Sequence, residues 1–280
     1  MARPPSRRPF ALALATTLGG AFAAFAFAGC ARDADPPPTR TLASGLRIDE
    51  LFAGSGAAAV DGSWVEVHYD ARVVAPSASG DAHAATGSGV AAAPPFDSTR
   101  RGDPFVFRIG HSKVLAALSE GVTGMQEGSR RRLTLPPELA YGALGKGAVP
   151  PDATLEYDVE LVHLFARSQA GVDHVEKKCG AGARPAAGQK VVIRCREWLV
   201  ETGRSILDPK QGRDGFVLEV GAGQAIPALD AALLEMNVGS LWRIGVPPEL
   251  GYGVNGHIPI LVAGQDCVLD LELVAIKEKP

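Results

Sequence analysis

The stretch Pro136-Pro137-Glu138-Leu139-Ala140-Tyr141-Gly142 returns 111 residues later as Pro247-Pro248-Glu249-Leu250-Gly251-Tyr252-Gly253. At the same offset Asp97, Phe105, Gly110 and Met125 recur as Asp208, Phe216, Gly221 and Met236. Register kept over such a span marks a duplication. Its period is far longer than that of a solenoid, so each copy is expected to be a whole domain with its own core. The differences between the copies then become the functional evidence.

Working outward in the first copy, Trp64 to Tyr69 and Phe105 to Phe107 alternate in period two and predict half-buried strands. From His111 to Val122 the apolar residues fall at helical spacing, with a Ser at the start and Gly121 near the end, which predicts a short helix. Arg130 to Leu135 returns to strand, Pro136-Pro137 breaks it, and Thr154 to Phe165 alternates again. The second copy repeats this order with strands over 190–198, 216–220, 241–246 and 266–276 and a helix over 226–234. Strands with hairpin-type connections and one helix predict an α+β fold: two tandem domains, each a curved antiparallel β-sheet wrapped over one short α-helix.

The copies are expected at 45–165 and 174–280, joined by a linker over 166–173. Within the first, Tyr69 aligns with Cys195 at an offset of 126 rather than 111, which implies an insertion of roughly fifteen residues. The stretch 74–95 is rich in Ala, Ser, Gly and Pro and is expected to be a disordered loop.

Residues 1–29 have the layout of an export signal: Arg3, Arg7 and Arg8, an apolar run from Phe10 to Ala28, then Ala28-Gly29-Cys30. Ser6 to Leu12 resembles the twin-arginine motif, and Cys30 resembles the lipidated cysteine of a bacterial lipobox. The expectation is an extracytoplasmic, periplasm-facing bacterial lipoprotein, anchored through lipid on Cys30, with 30–44 as a Pro-rich tether. Ala31 stands where an Asp marks inner-membrane retention, which favours the outer membrane.

A formal net charge of −3 gives no basic footprint for nucleic acid. No nucleophile with a base at a recognisable spacing, metal-ligand cluster or phosphate loop stands out, so no cofactor and no metal are expected. The marked residues are aromatic instead. Phe107 and Met125 read as plain core, because alternation points Phe107 the same way as Phe105 and Met fills gaps.

Val67-His68-Tyr69, Phe96-Asp97-Ser98, Pro104 to Phe107, Glu120-Gly121-Val122, Met125, Tyr141-Gly142 and Pro150-Pro151 to Leu155, in that order, resemble the FKBP-type peptidyl-prolyl isomerases over essentially all of the first copy. The resemblance implies a curved antiparallel sheet around one helix. It also implies a proline-binding pocket formed by Tyr69, Phe96, Asp97, Phe105, Val114, Leu115, Leu118, Tyr141, Val149 and Tyr157. Leu118 stands where many members have Trp, and Tyr157 where Phe is usual; both keep an apolar wall. The resemblance further implies that the Leu115 N–H and the Tyr141 phenol hold peptide carbonyls. Asp97 has two open roles, orienting Tyr69 or accepting loop N–H groups.

The second copy resembles the family more faintly, with a pocket at Cys195, Leu207, Asp208, Phe216, Ile226, Leu229, Tyr252, His257 and Leu269. Tyr69, Phe96 and Tyr157 have become Cys195, Leu207 and Leu269. By the resemblance Cys195 and Cys267 lie on neighbouring strands, close to opposite, which leaves a disulfide open. The implied function is a peptidyl-prolyl cis-trans isomerase acting on proline-containing unfolded or exported polypeptides, active mainly in the first copy and open to macrolide ligands. Two other functions stay open: a tethered holdase with two apolar grooves, and a structural lipoprotein with vestigial pockets.

Overall fold

The computed structural model describes residues 38–74, 94–111, 114–207, 215–253 and 264–277. The export signal, Cys30, most of the tether and of the 74–95 insertion, Asp208 and His257 lie outside the described residues.

The first domain runs β1 (Thr39–Thr41), β2 (Arg47–Phe52), β3 (Ser55–Ala58), β4 (Trp64–Val73), β5 (Asp97–Ser98), β6 (Phe105–Arg108), α1 (Ala116–Val122), β7 (Gln126–Glu127), β8 (Arg130–Leu135) and β9 (Leu155–Leu164). Its antiparallel sheet has the order β1-β2-β8-β9-β4-β5, with β6 also on β4. Period-two patterning decides which face is core: Arg131, Leu133 and Leu135 on β8, and Leu155, Tyr157, Val159 and Leu161 on β9, turn inward. The helix lies across that face. It sits so close at Gly121 that a Cβ there would come within 2.3 Å of Leu133 Cδ1. Arg131, buried beneath it, donates to the Gly121 and Thr123 carbonyls at 2.8 and 2.7 Å, satisfying acceptors that the helix end leaves open. The helix is shorter than its sequence pattern. It starts after Leu115, whose ψ of 124° is extended, and no side chain caps it.

The second domain repeats the plan as β10 (Ala166–Arg167), β11 (Asp173–Lys178), β12 (Lys190–Leu199), β13 (Phe216–Glu219), α2 (Pro227–Leu233), β14 (Leu241–Val246) and β15 (Cys267–Ile276). Its sheet order is β10-β11-β14-β15-β12-β13. The repeat extends to loop chemistry. Ser119 Oγ on α1 accepts from Gly110 N at 3.4 Å, and at the same positions Asp230 Oδ1 on α2 accepts from Gly221 N at 3.1 Å.

Three expectations change. The tether does not stay free to residue 44, because Thr39–Thr41 pairs with β2 as an edge strand. The linker 166–173 carries strand at its start, where Ala166 and Arg167 pair with His174 and Asp173. Cys195 and Cys267 do lie on neighbouring strands, but Cys195 faces Leu271 and Cys267 faces Leu199, so they are not opposite, and both thiols are free.

The two domains also pack on each other, within one compact unit running from Pro37. On β4 Trp64, Val65, Glu66 and Val67 are all buried, which breaks the alternation because the second domain covers the outer face. Val200 and Val268 join the first domain's core cluster there. Glu66, fully buried, receives the Arg243 guanidinium at 2.6 Å and the Lys177 ammonium. Arg243 in turn grips Asp270 through two contacts of 2.7 and 2.9 Å, and these anions hold its guanidinium firmly protonated against the cost of burial. Trp198 lies under the guanidiniums of Arg196 and Arg243, with ring centroid distances of 4.8 and 5.3 Å. Gly245 meets the Trp64 ring so closely that a Cβ would fall 2.2 Å from it.

Candidate active site

The first domain's expected residues converge between the sheet and α1. Tyr69 comes from β4, Phe105 from β6, Tyr157 from β9, and Leu115 and Leu118 from the start of α1. Tyr69 meets Phe105 edge-on with ring centroids 6.1 Å apart and Tyr157 at 5.6 Å, a geometry suited to aromatic quadrupoles. Phe107 stacks behind Phe105 at 5.5 Å and is fully buried, consistent with plain core. Leu118, Val149 and Tyr157 are buried, whereas Tyr69, Phe96, Phe105, Val114, Leu115 and Tyr141 are half-buried around them.

Local hydrogen bonding holds this edge in place. Tyr69 N donates to Thr99 Oγ1 at 2.9 Å, Thr99 N to Tyr69 O at 3.1 Å, and Phe96 N to Ala71 O at 2.9 Å, which lash the Phe96–Thr99 segment to β4. Asp97 is exposed, and its Oδ2 accepts the Tyr69 O–H at 2.8 Å, so of its two open roles the structure displays the Tyr69 contact. Burial raises the Tyr69 phenol well above the ordinary tyrosine range, and the bond to Asp97 raises it further. Tyr157 is raised likewise by burial, with the neighbouring phenols of Tyr141 and Tyr69 adding to it. Both therefore stay protonated donors at neutral pH.

Tyr141 follows the 3₁₀ turn Pro137–Leu139, and Lys146 Nζ lies 5.4 Å from its ring centre. The loop then closes through paired backbone bonds between Lys146 and Val149, at 3.0 and 2.9 Å. Gly145, at φ +63°, permits the turn: a Cβ there would come within 2.4 Å of Val149 O.

In the second domain Cys195, Leu207, Phe216, Ile226, Leu229, Tyr252 and Leu269 line one cavity of about 590 Å³. Smaller side chains at the positions of Tyr69, Phe96 and Tyr157 account for the space. The same cavity has in its wall a residue that the repeat comparison overlooked, Glu197. It is 2% exposed, and its Oε2 accepts the Tyr252 O–H at 2.6 Å. Burial pushes its carboxyl up to about 7, with the Tyr252 bond pulling the other way. The signal was present: Val191, Ile193, Cys195, Glu197 and Leu199 share one face of an alternating strand, and Glu is the misfit. Burial also raises Cys195 to about 11 and Cys267 to about 12, so both thiols are inert at neutral pH. Among the described residues no group of three His, Cys, Asp or Glu is placed to hold a metal.

A ring-lined apolar cup between a curved sheet and a short helix suits a ligand that must be twisted rather than broken, the class to which the prolyl isomerases belong. The family described as FKBP-type peptidyl-prolyl cis-trans isomerase matches residues 56–162 and again 182–274, and the chain belongs to that family. The peptidyl-prolyl cis-trans isomerase FKBP15-3 of Arabidopsis thaliana is 38% identical over 122 residues, which cover 43% of this chain and 74% of that protein. FKBP9 of Mus musculus is 29% identical over 188 residues, 65% of this chain, and this chain spans only 32% of its length. The crystal structure of the three FKBP domains of wheat FKBP73 aligns over 86% of this chain and 100% of that one, at 22% identity and a TM-score of 0.42.

Proposed function

We propose that this chain is a prolyl isomerase that assists the folding of polypeptides outside the cytoplasm, acting mainly through its first domain and tethered by lipid on Cys30. The observation that carries the division of labour is the state of two equivalent phenols. Tyr252 donates its O–H to the buried carboxyl of Glu197, whereas Tyr141 neighbours the Tyr157 phenol and has Ala71 where the second domain has that carboxyl. A phenol spent on a buried carboxyl is a poor holder of a peptide carbonyl. The export pattern of residues 1–30 supports the extracytoplasmic part of the reading.

The chemistry needs no cofactor. Rotation about an Xaa-Pro bond is slow because twisting destroys amide resonance, at a barrier of roughly 18–20 kcal/mol. The twisted amide has lost charge separation, so an apolar pocket disfavours it less than the planar form. In this reading Phe105, Leu118 and Tyr157 enclose the ring, while the Leu115 N–H and the Tyr141 O–H hold carbonyls. A barrier lowered by about 7 kcal/mol would accelerate rotation on the order of 10⁵-fold. Macrolide ligands of the family are expected to compete for the same cup.

A second reading, a peptide-holding chaperone with little turnover, draws on the second-domain cavity. The deciding experiment measures cis-to-trans isomerisation of a short Xaa-Pro peptide by the full chain, with and without a macrolide. Macrolide-sensitive turnover supports the isomerase. Peptide binding without turnover by the folded chain would sink that reading in favour of the chaperone.

A further inference from the structure

The second domain buries a group that the proposed reaction does not use. Glu197 lies on the inward face of β12 and contributes to the cavity wall, 2% exposed. Its Oε2 is taken by Tyr252, but Oε1 has no hydrogen-bond partner among the described residues. Buried polar atoms are nearly always paired, because an unpaired one forfeits its hydration without return, and a carboxylate forfeits the most. An unpaired oxygen on a carboxyl that lines a cavity is an acceptor waiting for a donor.

This carboxyl is particular to the second copy. Glu197 faces Leu269 across β12 and β15, and the matching pair on β4 and β9 is Ala71 and Tyr157. A small apolar residue has thus become an acid while the ring opposite it has become Leu. Around it Ile193, Phe216, Ile226 and Leu229 keep the cavity apolar, and the volume of about 590 Å³ suits a small organic molecule or two adjacent side chains. A proline ring, which has no donor, would leave Oε1 unpaired. A ligand carboxylate would meet repulsion. An ammonium satisfies the oxygen and its charge together, and charge-assisted bonds are about twice as strong as neutral ones.

We propose that the second-domain cavity binds an alkylammonium group carried on an apolar body, with the ammonium donating to Glu197 Oε1. Two sources offer that chemistry: a free amphiphilic amine, and a lysine side chain next to an aromatic residue in a polypeptide. The titratable groups around Glu197 are Tyr252 after β14, Cys195 on its own strand and Cys267 opening β15, with Asp266 beside Cys267. Among the described residues none of these is a cation, so in this proposal the ligand supplies the positive charge. Since burial lifts Glu197 to about 7, the pair is fully charged only above neutrality, and affinity is expected to rise from pH 5.5 to pH 8.

The test is calorimetric titration of the full chain with 4-phenylbutylamine, 4-phenylbutanol and 4-phenylbutanoate at both pH values. The amine should bind about tenfold more tightly than the alcohol at pH 8, with the acid weakest, and its advantage should shrink at pH 5.5. Glu197→Gln should bring the amine down to the level of the alcohol. Equal binding of amine and alcohol, or a preference that survives Glu197→Gln, overturns the proposal. Should that variant fail to fold, the unaltered chain still decides, since an amine preference that does not grow with pH also overturns it. Acetyl-Phe-Lys amide against acetyl-Phe-norleucine amide separates the sources. A lysine advantage there points to polypeptides, and its absence alongside amine binding points to free amines; either result supports the site.

Discussion

Across the duplication the scaffold is held while the contents of the cup change. The first domain fills it with Tyr69, Phe105 and Tyr157, the Tyr69 ring touching both of the others. The second holds Cys195, Phe216 and Leu269 at those positions, keeps an open cavity, and adds a buried acid hydrogen-bonded to its tyrosine. The outer faces diverge as well: Thr134 on β8 corresponds to Gly245 on β14, which lies flat under Trp64. One plan thus carries a ring-filled cup in one copy and an acid-bearing cavity in the other, with a buried ionic contact fixing them together.

The strongest way to break this comparison is to remove the same ring from each cup. Phe105→Ala should lower kcat/KM toward an Xaa-Pro peptide by at least about 100-fold, a loss of about 3 kcal/mol in transition-state stabilisation. Phe216→Ala should lower it less than about twofold. Equal losses in a peptide isomerisation assay would show that the two cups share the reaction.

Next in size is the contact between the domains. Gly245→Ala puts a methyl group where the buried Trp64 ring lies, and the rigid indole has nowhere to go. Overpacking of this kind should cost about 3 kcal/mol in denaturant unfolding. Thr134→Ala, at the matching place in the first domain, should cost about 0.5 kcal/mol or less. If Gly245→Ala is silent, the domains do not bear on each other as described.

What the sequence disclosed and what it hid divide along the same line. β8 was legible to the residue, because Arg130 to Leu135 alternates between a core and an open face. The first domain's pocket residues came from the resemblance to the isomerase family rather than from any period, and the structure brings Tyr69 against both Phe105 and Tyr157. Glu66 was not legible. By alternation it belongs to an outward face with Trp64 and His68, and the other domain's Arg243 and Lys177 make its burial tolerable. Edge pairing of Thr39–Thr41 was hidden for a related reason: a Pro-rich neighbourhood says nothing of the strand that waits for it. Local patterns report on the element that carries them, whereas contacts between distant elements leave no periodic mark.

Glu197 offers a sharper contrast, because its counterpart is Ala71. Its carboxyl is raised from an ordinary 4.5 to about 7, so the folded state holds a proton that the unfolded chain gives up at lower pH. The associated stability is fully present below about 4.5 and is lost as pH rises through about 7. Unfolding followed from pH 4.5 to pH 8 should show a decline on the order of 2 kcal/mol that Glu197→Gln removes. A Glu197→Gln chain with the same decline would place the titrating group elsewhere.

The smallest expected effect probes the Tyr69–Asp97 contact of the first cup. Tyr69→Phe keeps the ring against Phe105 and Tyr157 and deletes only the O–H that Asp97 accepts at 2.8 Å. Asp97 is exposed, so water can replace the lost donor, and the stability change should stay near 1 kcal/mol. If the hydrogen bond orients the pocket wall for catalysis, kcat/KM should fall several-fold while KM hardly moves, and Asp97→Ala, which removes the acceptor, should reproduce the loss. A merely structural contact would lower the unfolding midpoint and leave kcat/KM alone. The second domain has Cys195 at the matching position, with no phenol to make this bond, so a Cys195→Tyr exchange alone would not rebuild the ring contacts of the first cup.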